Sequence, residues 1–184
     1  MARSRYHAKP IKQTLKFNGK LIGCTDTSFA MCVDAATLGG CIVTEKYVRS
    51  LSSEAKPDPE SPGLNLDQLE GVAQKLRVEF TKVKGGSRAN FKVHLRQNRR
   101  IVAQLWYAGI GGTPIGHAVY VESISAKGMA RIVDPMKGVY SLVPEGRLFD
   151  AMETFAKKAG VPKGLLYGAT RGTQWLSANQ APAK

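Results

Sequence analysis

The sequence lacks the long apolar runs that cross or enter membranes. No stretch of its 184 residues reaches the roughly 18 consecutive apolar residues of a membrane-spanning helix. The N-terminus, MARSRYHAKPIKQTLKF, is basic but has no apolar core of the kind found in secretory signals. We therefore expect a protein without membrane contact that no export machinery handles. The length fits one domain with a substantial buried core.

Cysteine is also scarce, with three residues at Cys24, Cys32 and Cys41. Three cysteines cannot all pair within one chain, and without export we favour reduced thiols over a Cys32–Cys41 disulfide. No CxxC or HxxxH spacing accompanies them, so the sequence predicts no zinc site. We expect neither a metal nor a cofactor.

Acidic residues are few at both ends of the chain. The net charge is +13, yet residues 1–20 contain six Lys or Arg and residues 156–184 contain five, with no acid in either range. Residues 21–155 are close to neutral. This distribution predicts a basic N-terminal arm (1–17), a domain (18–170) and a polar tail (171–184), with the basic ends free to contact a polyanion.

One inner stretch is also basic and has no acid between residues 80 and 121. We interpret it as a solvated helix face plus a loop rather than a nucleic-acid surface, because no aromatic residues alternate with the charges. Its basic residues are Lys82, Lys84, Arg88, Lys92, Arg96, Arg99 and Arg100.

Apolar periodicity predicts helices in the first half of the chain and a sheet in the second. Helices are expected over residues 25–38, 45–51, 65–76 and 87–98, with Thr44 and Asn65 as N-caps. Gly39-Gly40 would end the first helix. Strands are expected over 101–107, 117–124, 129–133, 139–143 and 165–167, with a helix over 144–158 before the last strand. Helices followed by an antiparallel sheet make an α+β layout.

Three residues at element boundaries suggest nucleophilic catalysis. Cys24 precedes a helix, where free N–H groups and the helix dipole favour a thiolate. His117 begins one strand of a predicted hairpin and Asp134 ends the other, so the two are expected to be neighbours. Such a carboxylate would orient the imidazole that serves the thiol as its base. The N–H of Cys24 and the amide of Asn18, six residues upstream, could stabilise an oxyanion.

Each of these residues has a structural alternative. A helix cysteine is usually a small core residue, a strand histidine is usually packed, and an Asp-Pro pair often marks a turn. It is the ordered set of thiol, imidazole and carboxylate that favours function.

These residues lie in segments that resemble papain-fold peptidases of the bacteriocin-processing (double-glycine leader) type. The run from Gly23 to Met31 resembles their nucleophile helix, and Gly116 to Val119 with Val133 to Pro135 and Gly138 resembles their histidine strand and Asp-Pro turn. The resemblance extends from about Asn18 to Leu166. It implies a papain-like fold, with Cys24 as nucleophile, His117 as base and acid, and Asp134 as orienting group.

The chain departs from this pattern close to the nucleophile. The oxyanion residue of such enzymes is normally glutamine, and Asn18 occupies the matching position. Thr25 stands where glycine is common, and Asp26 brings a negative charge expected to oppose ionisation of the thiol. Thr37-Leu38-Gly39-Gly40 is similar to a double-glycine cleavage site, but we interpret it as a helix stop.

Three functions remain open. The first is a cysteine hydrolase acting on a peptide or a cell-wall peptide amide. The second is a catalytically inactive papain-like protein that docks on other virion proteins through its basic arms, since small stand-alone relatives resemble phage-encoded proteins. The third is a nucleic-acid binder, for which basic ends alone are weak support. The expected location is the cytoplasm or a virion.

Overall fold

The computed structural model describes residues 6–52, 63–108 and 114–171. Within these ranges the chain forms five helices and eight strands. The helices are α1 (Cys24–Ala36), α2 (Glu45–Leu51), α3 (Leu66–Leu76), α4 (Arg88–Arg96) and α5 (Glu145–Lys158). The strands are β1 (Lys16–Phe17), β2 (Lys20–Leu21), β3 (Glu79–Gly86), β4 (Arg100–Ala108), β5 (Pro114–Ile124), β6 (Met129–Asp134), β7 (Val139–Pro144) and β8 (Leu165–Arg171).

Six of the strands form one antiparallel sheet in the order β3-β8-β4-β5-β6-β7. The two long central strands pair from Ile101↔Val121 to Ala108↔Pro114. β1 and β2 form a separate two-residue ladder. The α+β fold class predicted from the sequence is confirmed.

Two apolar cores lie on either side of this sheet. One contains α1 and α3, packed against Val102, Ala118 and Tyr120. The other contains α4 and α5, packed against Ile101 and Val121. Alternate residues of β4 and β5 thus enter different cores, as the pleat of a strand requires. Helix α1 is buried from Thr25 to Ala35, which explains why its sequence is apolar or small around most of its circumference.

The observed elements closely follow those predicted, with two additions. The β1–β2 ladder was not expected, and neither was β3. The prediction that Lys82 and Lys84 lie on a helix face or in a loop is wrong, because both lie on β3. Their strand is an edge of the sheet, and its alternation of Val83 with lysines is the period-two pattern of a half-solvated strand.

The N-terminal segment lies across the domain from Tyr6 onward. The Lys9 N–H donates to Asp34 Oδ2 at 2.9 Å, and the Gln13 N–H donates to the carbonyl of Pro135 at 2.9 Å. Its backbone is therefore held at several points, while the side chains of its lysines stay exposed. The division into arm, domain and tail stays a prediction, and residues 172–184 lie outside the described ranges.

The described part of the chain lacks two features. None of its helices combines the length and the apolar character needed to span a bilayer. The same residues contain no group of three His, Cys, Asp or Glu side chains placed to hold a metal ion.

Candidate active site

Cys24 is the first residue of α1. The helix has no side-chain cap, and the N–H groups of its first turn have no intrahelical acceptor apart from Thr27 N, which bonds Gly23 O at 2.8 Å. These free donors and the helix dipole favour a negative charge at the Cys24 side chain. The sulfur is partly exposed, whereas Cys32 on the same helix is fully buried.

A buried carboxylate fixes the start of this helix. Glu45, the first residue of α2, accepts hydrogen bonds from Thr27 Oγ1 at 2.8 Å, from Leu15 N at 2.9 Å, and from both the backbone and hydroxyl of Thr14. A Cβ at Gly23 would lie 2.5 Å from Glu45 Oε2, so only glycine fits directly before the cysteine. Glu45 thus joins the nucleophile helix to the N-terminal segment.

His117 and Asp134 face each other across β5 and β6. His117 Nε2 lies 2.8 Å from Asp134 Oδ1, and the same oxygen accepts the N–H of Met136 at 2.9 Å. The imidazole is buried and the carboxylate is mostly so. The pKa of Asp134 is lowered, because the hydrogen bond and charge of His117 and the Met136 N–H outweigh the effect of its burial.

The same imidazole lines one cleft with the Cys24 thiol, and each group shifts the pKa of the other. Since Nε2 faces Asp134, Nδ1 is left for the sulfur. Burial would raise the pKa of Cys24, but the hydrogen bond and charge of His117 and the N–H of Ala118 lower it below its ordinary value. Burial would lower the pKa of His117, but Asp134 and Cys24 raise it to about 9. Both shifts act in the direction of proton transfer from the sulfur to the imidazole.

Asp26 does not act on the thiol as an uncompensated charge. Its carboxylate is fully buried, and Arg49 Nη2 on α2 lies 2.9 Å from its Oδ2. Desolvation raises the pKa of Asp26 to about 6 in spite of the arginine. Near neutral pH it is therefore the ion pair with Arg49 that reduces the influence of Asp26 on Cys24.

Thr25 contributes a hydroxyl next to the sulfur. Its Oγ1 lies 4.0 Å from Cys24 Sγ and accepts a hydrogen bond from Gln104 Nε2 at 3.5 Å. Either atom can donate across the Thr25–Cys24 contact, and a hydroxyl proton directed at the sulfur accounts for the lowering of the Cys24 pKa by Thr25. The sequence suggested no role for Gln104, which is buried on β4.

The structure does not bring Asn18 to the thiol. Asn18 has φ 48° and Gly19 has φ 77°, so together they form the two-residue turn between β1 and β2. Asn-Gly is the dipeptide most typical of such turns. Asn18 is exposed and is not among the residues that line the cleft described below.

Gln13 is a buried amide of the N-terminal segment and, like Asn18, is not among the residues that line the cleft. Its backbone bonds Pro135, the residue after Asp134, and two residues later Leu15 O accepts the N–H of Ile22 at 3.0 Å. It therefore lies between the start of α1 and the turn that follows Asp134. The Oε1 atom of Gln13 is buried and has no hydrogen-bond partner within the described residues. The β1–β2 ladder lies between Gln13 and Cys24 in the sequence. Gln13 is therefore not at the spacing of six residues before the cysteine that singled out Asn18.

The other two histidines lie elsewhere. His7 Nδ1 pairs with the buried carboxylate of Glu122 at 2.9 Å, and His94 packs edge-on against Tyr167 in the second core. Neither lines the cleft.

Cys24 and His117 open into a cleft of about 760 Å³. Four adjacent strands form its floor, through Gly116 on β5, Gln104 and Trp106 on β4, Leu166 on β8, and Lys82 and Lys84 on β3. The start of α3 forms one wall and Phe155 on α5 contributes to another. The cleft is long enough for an extended chain and closed enough to orient it.

Solved structures share this architecture. A protein described as a C39-like peptidase from Bacillus anthracis superposes with a TM-score of 0.61 at 14% identity, covering 90% of this chain and 95% of its own. The chain has the fold of C39 peptidase domains. The peptidase domain of Streptococcus ComA, a bi-functional ABC transporter involved in a quorum sensing pathway, gives a TM-score of 0.58 at 16% identity, covering 91% of this chain and 99% of its own.

At these identities the similarity establishes the C39-like, papain-like fold alone. No family model matches the sequence, and a search of curated proteins finds no match. The phage and virion associations expected from the sequence receive no support from either structure.

Proposed function

We propose that the protein is a cysteine peptidase or amidase in which Cys24 is the nucleophile, His117 the general base and acid, and Asp134 the residue that orients the imidazole. The proposal is carried by the 2.8 Å contact between Asp134 and His117 in a cleft that Cys24 also lines, with the pKa of the Cys24 thiol lowered by that imidazole. A structural cysteine needs no acidified thiol, and a structural histidine needs no raised pKa.

In the proposed reaction the Cys24 thiolate attacks the carbonyl carbon of a substrate amide. The negative charge that develops on the carbonyl oxygen is stabilised by the Cys24 N–H and by the side-chain amide of Gln13. The His117 imidazolium then protonates the leaving nitrogen, the C–N bond breaks, and a thioester remains on Cys24. Water, deprotonated by the now neutral imidazole, hydrolyses the thioester and regenerates the thiolate.

The burial of His117 supports this assignment of roles. With 4% of its side chain exposed, the imidazole exchanges protons only through its two polar neighbours and whatever enters the cleft. Asp134 keeps Nε2 protonated, so Nδ1 is the nitrogen that accepts and returns the proton.

The first test is selective alkylation with iodoacetamide at pH 7. Cys24 is expected to react far faster than Cys32, which is fully buried and whose pKa is raised by desolvation. Cys41 serves as the internal control, because it is also partly exposed but burial raises its pKa. Equal, slow labelling of all three cysteines would contradict the proposal.

The second test is hydrolysis of a mixed peptide library and of cell-wall peptide fragments, followed by mass spectrometry. New termini are expected with the wild-type protein and with Cys41→Ala, and none with Cys24→Ala. If Cys24→Ala leaves all measurable functions intact, the inactive-scaffold hypothesis replaces the hydrolase.

A further inference from the structure

The far end of the cleft from the thiol is basic. Lys82 and Lys84 lie on β3, the edge strand of the sheet, and both line the cleft. A third cation, Lys158, lies nearer the imidazole, with its Nζ 4.8 Å from the centre of the ring of Trp106, which pairs with Gly116. Among the described residues that line the cleft, Asp67 is the one acid, and it already pairs with Lys82. Lys84 is exposed and has no ion pair among the described residues.

From these positions we infer that the cleft selects peptides with an acidic residue about four positions before the scissile bond. The inference rests on the proposed function, because it takes Cys24 and His117 as the reacting groups. It adds a substrate class and assigns Lys82 and Lys84 as residues that determine specificity.

The direction of the bound chain follows from the position of the imidazole. The leaving nitrogen must lie beside His117, which protonates it, so the C-terminal part of the substrate lies on that side of the sulfur. The floor of the cleft continues away from His117, from β5 across β4 and β8 to β3. The N-terminal, acyl part of the substrate therefore lies along this floor.

The distance along the floor sets the position of the acidic residue. The Cys24 sulfur lies beside Ala118 on β5, and the lysines are three strands away. Three strand spacings of about 4.8 Å make roughly 14 Å, which an extended peptide covers in about four residues. Between these ends the floor presents Trp106 and Leu166, which suit small or apolar side chains.

Charge complementarity makes the fourth position selective. A substrate carboxylate would meet Lys84 without competition and would share Lys82 with Asp67. A basic side chain at the same position would face two lysines and be disfavoured. Since Lys84 is exposed and Lys82 is partly exposed, the preference should weaken with salt over a screening length of about 8 Å at physiological ionic strength.

The test uses peptidyl chloromethyl ketones of sequence acetyl-Xaa-Ala-Ala-Ala, with Xaa as Glu, Gln or Lys. The thiolate displaces chloride and forms a thioether, so the rate of Cys24 alkylation reports binding along the cleft without requiring turnover. We expect the rate of Cys24 alkylation to decrease from the Glu probe to the Gln probe to the Lys probe. The Glu probe should react about tenfold faster than the Lys probe at low salt, and this ratio of rates should fall as the salt concentration rises.

Matched variants assign the preference to the two lysines. In the double variant Lys82→Gln/Lys84→Gln, the alkylation rate of the Glu probe should become about equal to that of the Lys probe. Lys84→Gln alone should lower the ratio of the two rates without disturbing the Lys82–Asp67 pair. Lys127→Gln, in the turn between β5 and β6 at the opposite end of these strands, should leave it unchanged. Moving Glu to the residue next to the ketone should abolish its advantage.

Iodoacetamide occupies no subsite, so its reaction with Cys24 tests the proposed function separately from the preference for an acidic residue. If it fails to single out Cys24, the proposed function is wrong. If it singles out Cys24 but the wild-type protein reacts equally with the Glu and Lys probes, or the preference survives Lys82→Gln/Lys84→Gln, the substrate inference alone is overturned.

Discussion

Arg49 Nη2 lies 2.9 Å from Asp26 Oδ2, so the acid two residues after the proposed nucleophile has its own counter-ion. The pair also joins the first turn of α1 to α2, which carries Glu45. Neither charge has much access to water, since the carboxylate is fully buried and the guanidinium is 11% exposed. The main effect of such a buried ion pair on stability is that each charge offsets the desolvation cost that the other would have if it were buried alone.

Arg49→Met should therefore destabilise the fold strongly. Leaving Asp26 buried without a cation is expected to lower the free energy of unfolding by about 3–5 kcal/mol. The measurement is urea denaturation at pH 7. The control is Arg88→Met, whose partners Asp150 and Glu153 are exposed and whose loss should cost about 1 kcal/mol or less. If the free energy of unfolding falls by similar amounts in both variants, the contact with Asp26 contributes no more to stability than an exposed ion pair.

Thr25→Val should raise the pKa of the Cys24 thiol. The variant keeps the shape of the side chain but removes the hydroxyl that contacts the sulfur. Loss of one hydrogen bond to a thiolate should slow iodoacetamide alkylation below the pKa by about three- to tenfold. Thr25→Ser retains the hydroxyl and should behave as wild type, which a purely steric role for Thr25 does not predict.

The pH dependence of hydrolysis should have its upper limit at the His117 titration. The working form needs a thiolate and an imidazolium, so kcat/KM should fall as pH rises through about 9. Alkylation of Cys24 by iodoacetamide needs only the thiolate and should continue above that pH. Coincident loss of both reactions would argue against separate roles for the two groups.

Asp134→Asn should move that upper limit to lower pH. The carboxylate is the main group that raises the pKa of His117, and its removal should lower this pKa by about one to two units. The kcat/KM profile is the measurement. Asp150→Asn, a change in an exposed ion pair, should leave the limit in place.

Gln13→Ala should reduce kcat while leaving the thiol as reactive as before. Loss of an oxyanion donor is expected to lower kcat by about 10²–10³-fold, with no change in the rate of iodoacetamide alkylation. Asn18→Ala, at the exposed hairpin turn, should have no effect on either rate. If Asn18→Ala proves the more damaging variant, the assignment of the oxyanion amide to Gln13 is wrong.

The sequence predicted most elements because their signals are local. The caps Thr44 and Asn65 lie where expected, each accepting a backbone hydrogen bond three residues ahead. Strands with strong apolar alternation were found for the same reason. β3 was missed because two lysines occupy its solvated face, and β1 and β2 were missed because two residues give no measurable period.

The site was only partly accessible to the same reasoning. Hairpin topology alone predicts that His117 and Asp134 are neighbours, since a turn at 127–128 fixes which residues of the two strands meet. The Asn-Gly pair at Asn18 was a readable turn signal that would have argued against an oxyanion role for this residue. Gln104 and Arg49 reach Thr25 and Asp26 through contacts between elements far apart in the sequence, which no local pattern encodes, and Gln13 meets Pro135 in the same way.

The bond from Gln13 N to Pro135 O closes a loop that contains most of the domain. A chain emerging from the ribosome presents its nucleophile early and the imidazole and carboxylate late. Until His117 is available, the sulfur lacks the imidazole that lowers its pKa, and until Pro135 is available, the N-terminal segment is held through Asp34 and Glu45 alone of these three contacts. We therefore expect the thiol to acquire its lowered pKa only after the histidine strand has been synthesised and has folded against α1.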